Sequence, residues 1–255
     1  MTATGAGGRR VALVTGASRG IGRACALALA ADGCDVGVGY RRDEESAAAT
    51  VAAVEGLGGR AVAYRASMED AGDLAAMADA VLADFGRIDV LVHAAGVASR
   101  GRAVVDTDPE ELDRLLRTHA VAAHHLCRLL VPAMRGQGRG DVVFVSSVAA
   151  RLLAPNGAPY NMAKAALEAL AATLAKEERR HGIHVNVVAP GLVATEMGRR
   201  LAKAAMGVDD ITDLDDRSPF GRVCRPEDVA GVVRFLCSGE AGYLTGQVVA
   251  VDGGG

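Results

Sequence analysis

The sequence predicts a single doubly wound α/β domain: a seven-stranded parallel sheet with helices on both faces. Three observations lead there. Short apolar runs rich in β-branched residues alternate with longer Ala- and Leu-rich segments along the chain, and such alternation produces a parallel sheet covered on both sides. The chain has 255 residues, of which 50% are apolar and 23% charged, enough for a sizeable core in one α/β unit. No linker, repeat or low-complexity stretch divides residues 10–255, and only 1–9, mostly Gly, Ala and Thr, read as a flexible tail.

Taken in order, 11–14 is a buried strand. The glycine-rich turn Thr15-Gly16-Ala17-Ser18-Arg19-Gly20-Ile21-Gly22 follows, then a helix over 23–31. Residues 35–39 form a second strand that runs into Tyr40-Arg41-Arg42. A helix over 46–56, a strand over 61–64 and a helix over 70–85 come next. The fourth strand, 90–93, ends at Ala94-Ala95-Gly96. A long helix spans 109–130, with Asp108 as N-cap and Pro109 at its first position. The fifth strand is 142–145. The helix over 160–181 carries alanines on several faces, a smooth surface for close helix–helix approach. Residues 185–188 form the sixth strand, closed by Ala189-Pro190-Gly191. The polar stretch 195–216, helical in places, reads as a mobile lid. A helix over 226–237 and a strand over 247–251 complete the chain.

Several function classes are excluded. The net charge is −3 with both signs interspersed, which gives no basic surface for nucleic acid. No apolar run reaches the ~18 residues of a membrane span, and the N-terminus is too polar and short for a signal peptide. The five cysteines (Cys25, Cys34, Cys127, Cys224, Cys237) are odd in number and lack metal-ligand spacing, so they read as reduced thiols of a cytoplasmic protein. His124, His125, His181 and His184 have no Cys or carboxylate set to complete a site, so no metal is expected.

The chemistry concentrates at Tyr160 and Lys164, four residues apart and therefore on one helix face. A phenol titrates near ~10, and a cation beside it favours the phenolate, so the pair can exchange a proton with a substrate oxygen near neutral pH. Ser147 adds a hydroxyl at the end of the fifth strand. The glycine turn between strand and helix suits a pyrophosphate, held by the N–H groups of the helix start. An NAD site would want an acidic residue at the end of the second strand. Arg41 and Arg42 stand there instead, with Arg19 in the turn; guanidinium groups suit a 2′-phosphate, so NADP(H) is expected over NAD(H).

On these motifs the chain resembles the short-chain dehydrogenases/reductases from about residue 10 to its end, and looks most like their 3-oxoacyl-[acyl-carrier-protein] reductase branch. The match comprises the glycine turn, Ser147 with Tyr160 and Lys164, Pro190-Gly191 with Thr195, and the terminal Gly246-Gln247 and Val251-Asp252-Gly253-Gly254. The resemblance implies a Rossmann-like fold and a homotetramer. It implies hydride transfer between a nicotinamide and a ketone or secondary alcohol, with an acyl thioester and an acyl carrier protein as candidate substrate and partner. Tyr160 would be the acid, Lys164 would lower its pKa and hold the ribose, and Ser147 would bind the substrate oxygen. Cofactor contacts are implied at Gly16, Ser18, Arg19, Gly20, Ile21, Gly22, Tyr40, Arg41, Arg42, Ala66, Ser67, Ala94, Ala95, Gly96, Tyr160, Lys164, Pro190, Gly191, Val193 and Thr195. Three departures from the family pattern stand out. His93-Ala94 replaces an Asn pair, Ala66 replaces an Asp near the adenine, and His119 replaces the Asn that shapes a water relay to the lysine. His119 is taken as a candidate member of that relay, able to titrate near neutral pH. Two alternatives stand beside this reading: an NAD-dependent alcohol dehydrogenase of the same family, and a cofactor-binding homologue without catalysis. Substrate selectivity is expected in 149–159 and 195–216, with Leu152 and Leu153 forming an apolar wall. Arg151, Arg199, Arg200 and Lys203 are candidate contacts for a carrier protein.

Overall fold

Seven strands form one sheet: β1 (Val11–Thr15), β2 (Asp35–Tyr40), β3 (Ala61–Arg65), β4 (Val90–His93), β5 (Gly140–Val145), β6 (Ile183–Pro190) and β7 (Val248–Val251). Their order is β3-β2-β1-β4-β5-β6-β7 and every pairing is parallel. The computed structural model describes residues 8–254. The order reverses direction between β1 and β4, which opens a crevice at the carboxyl ends of the strands, where ligands of such sheets bind.

The helices are α1 (Gly20–Ala31), α2 (Glu44–Gly56), α3 (Ala71–Phe85), α4 (Pro109–Leu116), α5 (Ala122–Met134), α6 (Ala149–Leu152), α7 (Ala158–Glu178), α8 (Glu196–Met206) and α9 (Pro226–Leu236). Alternate strand residues face opposite sides. Val11 and Leu13 pack with α3, α5 and α7, whereas Ala12 and Val14 pack with α1, α2 and α9. Burial on both faces explains why the strands read as continuous apolar runs. A small third cluster, Ala202, Ile211, Leu214 and Val223, anchors the 195–216 stretch, which holds α8 and a 3₁₀ segment.

Several boundaries differ from expectation. α1 begins at Gly20, so the end of the glycine motif is already its first turn. The expected single helix over 109–130 is interrupted by a π-turn over Arg117–Val121 and then continues to Met134; such bulges insert an extra residue per turn and gather at functional sites. α6 was not expected. The tail expected over 1–9 lies outside the described residues up to position 7, but Arg9 is held by Asp35 at 2.9 Å.

The edge of the sheet away from the crevice is closed by charge. Asp141, fully buried, is flanked by Arg10, by Arg139 at 2.9 Å and by His184 at 3.6 Å. Asp89 accepts the Val11 N–H at 2.8 Å and two bonds from Arg87. No described helix is long and apolar enough to cross a membrane.

Candidate active site

Most of the expected cofactor contacts and Ser147 follow the carboxyl ends of strands, where the crevice opens, whereas Tyr160 and Lys164 lie on α7 and His119 on the π-turn. After β1, Gly16 adopts φ +67°, and a Cβ there would lie 2.9 Å from Ala95 Cα. A Cβ at Gly22 would lie 2.3 Å from the Gly16 carbonyl oxygen. The turn is therefore pressed against the end of β4 and against itself, and no side chain fits at either position. Arg19 is the N-cap of α1 and makes no side-chain cap, so the first N–H groups of the helix, at Gly20, Ile21 and Gly22, carry no capping acceptor.

Thr15 joins this turn to β4. Its Oγ1 accepts the Ala95 N–H at 3.1 Å and lies 3.0 Å from His93 Nδ1. The hydroxyl proton is thus free to be donated to Nδ1, which puts the imidazole proton on Nε2. That atom faces the backbone of Thr118 and His119 without closing a hydrogen bond of good geometry. His93 supplies polar ties that Ala94 lacks.

Ser147 follows β5. Its Oγ accepts the Ala149 N–H at 3.2 Å and reaches the Pro190 carbonyl at 3.4 Å. Tyr160 and Lys164 lie on one face of α7, with Lys164 Nζ 5.5 Å from the Tyr160 ring centroid. Lys164 is buried, and its ammonium donates to the Val145 carbonyl at 2.7 Å. Burial pushes Lys164 down to about 7, opposed by the negative charge of Glu168. Burial pushes Tyr160 up to about 12, opposed by the Ser147 hydroxyl. The sequence reading that Lys164 lowers the Tyr160 pKa is therefore corrected for this arrangement: desolvation dominates the phenol, and the ammonium is engaged by a backbone carbonyl.

His119 sits on the π-turn, fully buried, with Nε2 2.9 Å from the Val97 carbonyl and 3.3 Å from the Val97 nitrogen. Its Nδ1 is buried without a partner. Burial, and then the Lys164 charge, hold it well below the usual histidine range. The expectation that it titrates near neutral pH is not met, because a charged imidazole would be desolvated beside an ammonium. Burial likewise brings His93 down to about 4.

At the far end of the crevice the Tyr40 side chain turns into the core, and the Tyr40 carbonyl accepts the Ala66 N–H at 2.8 Å. Ser67 donates its N–H to Asp73 at 2.8 Å. Arg41 pairs with Glu69 at 3.3 Å and Arg19 with Glu196 at 2.5 Å, while Arg42 makes no ion pair among the described residues. Pro190 and Gly191 close β6, and Val193 is buried beyond them. Thr195 caps α8 by accepting the Gly198 N–H at 3.0 Å. Its Cγ2 would touch a Cβ at Gly20 at 3.3 Å, so this segment borders the glycine turn. Glu168 was missed by the sequence reading, although it stands one turn beyond Lys164 and a further four-residue step points to it.

The sequence model of the family described as enoyl-(acyl carrier protein) reductase matches residues 16–255. The chain belongs to the short-chain dehydrogenase/reductase family. It is 41% identical to the short-chain reductase protein NovJ of Streptomyces niveus, over 96% of this chain and 93% of that one. It is 38% identical to a 3-oxoacyl-[acyl-carrier-protein] reductase of Synechocystis sp., over 96% of both. Among solved structures, L-sorbose reductase from Gluconobacter frateurii, complexed with NADPH and L-sorbose, aligns with a TM-score of 0.89 at 30% identity over 96% of both chains. This short-chain dehydrogenase/reductase is an oxidoreductase of a family that binds nicotinamide cofactors. Its residues fit such a group: the cradle left by Gly16 and Gly22, the uncapped start of α1, and the crevice between β1 and β4.

Proposed function

We propose that the protein is an NADP(H)-dependent ketoreductase acting on a ketone or secondary alcohol, with 3-oxoacyl thioesters as the leading substrate class. The observation that carries this reading is the convergence of Ser147, Tyr160 and Lys164 beside the glycine turn. The bound nicotinamide supplies or takes the hydride. Ser147 donates a hydrogen bond to the substrate oxygen and stabilises the charge that develops there. Tyr160 gives that oxygen its proton. A phenol pushed up to about 12 is protonated at neutral pH, which suits the reducing direction. Lys164 holds the ribose hydroxyls and, once turned toward the phenol, stabilises its phenolate. Arg19, Arg41 and Arg42 receive the 2′-phosphate.

An apolar groove of about 360 Å³, lined in part by Val104, Leu153, Pro155 and Met162, suits an acyl or other bulky ketone substituent. Leu152 and Leu153 are both largely exposed beside it. Arg199, which makes no ion pair among the described residues, and Arg151, 3.9 Å from Glu168, are the cationic candidates for an acyl carrier protein; Arg200 and Lys203 are held by Glu196 and Asp209. The alanines of α7 suit the subunit contact of a homotetramer. The free cysteines of the described residues suit the cytoplasm. A second reading, an NAD-dependent alcohol dehydrogenase, is favoured by one observation: Arg19 and Arg41 are both countered by carboxylates.

The test is turnover of a ketone panel that includes a 3-oxoacyl thioester, with NADPH and NADH in parallel. We expect NADPH oxidation that Tyr160→Phe lowers by ~10²–10⁴-fold. Preference for NADH would favour the second reading, and cofactor binding without turnover of any ketone would leave a non-catalytic homologue.

A further inference from the structure

Lys164 is a buried amine, and its charged form must be supported by what packs against it. From β5 it receives the Val145 carbonyl. From β4 and the π-turn come His93 and His119, both held neutral by burial and both of which would oppose it if protonated. From α7 itself come the Tyr160 phenol and the Glu168 carboxylate. Glu168 stands one turn beyond Lys164 on the same face of α7, and its negative charge favours the charged form of the amine.

The same carboxylate is hydrogen-bonded through one oxygen and faces a guanidinium with the other. Glu168 Oε1 accepts from Ser146 Oγ at 2.9 Å, and Ser146 is buried, with its N–H donated to the Val188 carbonyl at 2.8 Å. Ser146 is the residue before Ser147, so this bond fixes the strand end from which Ser147 projects. Glu168 Oε2 lies 3.9 Å from Arg151 on α6, next to Leu152 and Leu153. One side chain thus links the helix of Tyr160 and Lys164, the strand end of Ser147 and the helix beside the apolar groove.

We propose that Glu168 is a positioning residue for the reaction: its carboxylate, one helical turn from Lys164, favours the charged form of that lysine and, through Ser146, aims Ser147. The proposal rests on the roles given above to Ser147, Tyr160 and Lys164. Glu168→Gln keeps an acceptor for Ser146 and removes the charge, Glu168→Asp keeps the charge, and Ser146→Ala removes the hydrogen bond alone.

The chain contains three lysines, Lys164, Lys176 and Lys203, so ¹³Cε-lysine labelling gives three resonances that can be assigned by substitution. In the protein without cofactor, the Lys164 resonance of Glu168→Gln should titrate about one pH unit lower than in the wild type, and that of Glu168→Asp should stay close to it. With a ketone turned over in the assay above, the alkaline limb of kcat/KM should move down by the same amount in Glu168→Gln. Ser146→Ala should lower kcat with the limb in place. A wild-type Lys164 titration in a folded Glu168→Gln protein, or a lowered melting temperature with no movement of either titration, overturns the proposal. Because the resonance is read without substrate, failure to find a ketone would count against the functional reading and leave this test standing.

Discussion

The His119 ring meets the Tyr160 ring edge to face, with centroids 5.4 Å apart and planes 89° apart. Gly96 closes the other side of the imidazole: a Cβ there would lie 2.6 Å from His119 Cε1. The imidazole therefore fills the space between the end of β4 and the phenol, and whatever moves it moves the acid.

Gly96→Ala should push His119 against Tyr160. Misplacement of this kind is expected to lower kcat roughly tenfold to a hundredfold, with an overpacking cost of about 1–3 kcal/mol. His119→Asn, smaller and the residue of the family pattern, should retain most activity and should relieve the clash in the double variant. His119→Leu leaves no polar group for the Val97 backbone or a relay water and should be slower. Measured kcat and melting temperatures for the four variants decide it. Wild-type values for Gly96→Ala would show that the imidazole has room.

The buried histidines make stability depend on pH. His93 titrates at about 4 in the folded protein, against an ordinary histidine value of 6.5. Between these values the unfolded chain binds a proton that the folded one does not. The contribution is thus fully present above about 6.5 and lost as pH falls toward 4, by up to roughly 3 kcal/mol for His93. His119 acts in the same direction. The melting temperature should fall between pH 6.5 and 4.5, and a folded His93→Gln protein should show a shallower fall. An equal slope in both would rule out His93 as a cause.

Cofactor choice should respond to Arg41. Replacing it by Asp places a carboxylate beside Glu69 and removes a phosphate partner, so kcat/KM should shift toward NADH by about tenfold or more. The ratio for both cofactors is the measurement. An unchanged ratio, or a wild type that prefers NADH, would refute the role of Arg41.

Asp141→Ala should leave Arg10, Arg139 and His184 without their shared buried carboxylate. Breaking a buried pair costs about 3–5 kcal/mol, so the urea midpoint should fall markedly. Activity per folded molecule should hold, because the network lies at the opposite edge of the sheet from the crevice. A loss of kcat in folded protein would contradict that separation.

How much of this was legible in the sequence follows from the range of the forces involved. Strand–helix alternation, the glycine turn and the common face of Tyr160 and Lys164 depend on period and local sterics, which a linear chain displays directly. Charge states do not. Spacing alone put Lys164 beside Tyr160 and suggested a lowered phenol pKa. The fold buried both groups, so the phenol rises to about 12 and the lysine falls to about 7, and it set the amine against the Val145 carbonyl. The same holds for Arg19 and Arg41. Their positions in sequence suggest phosphate contacts, but only packing brought Glu196 and Glu69 against them. The π-turn that presents His119, and the bond from Ser146 to Glu168, join residues whose separation in sequence carries no periodic signal. Desolvation and ion pairing depend on which distant segments share a volume, and that is decided when the sheet closes under its helices.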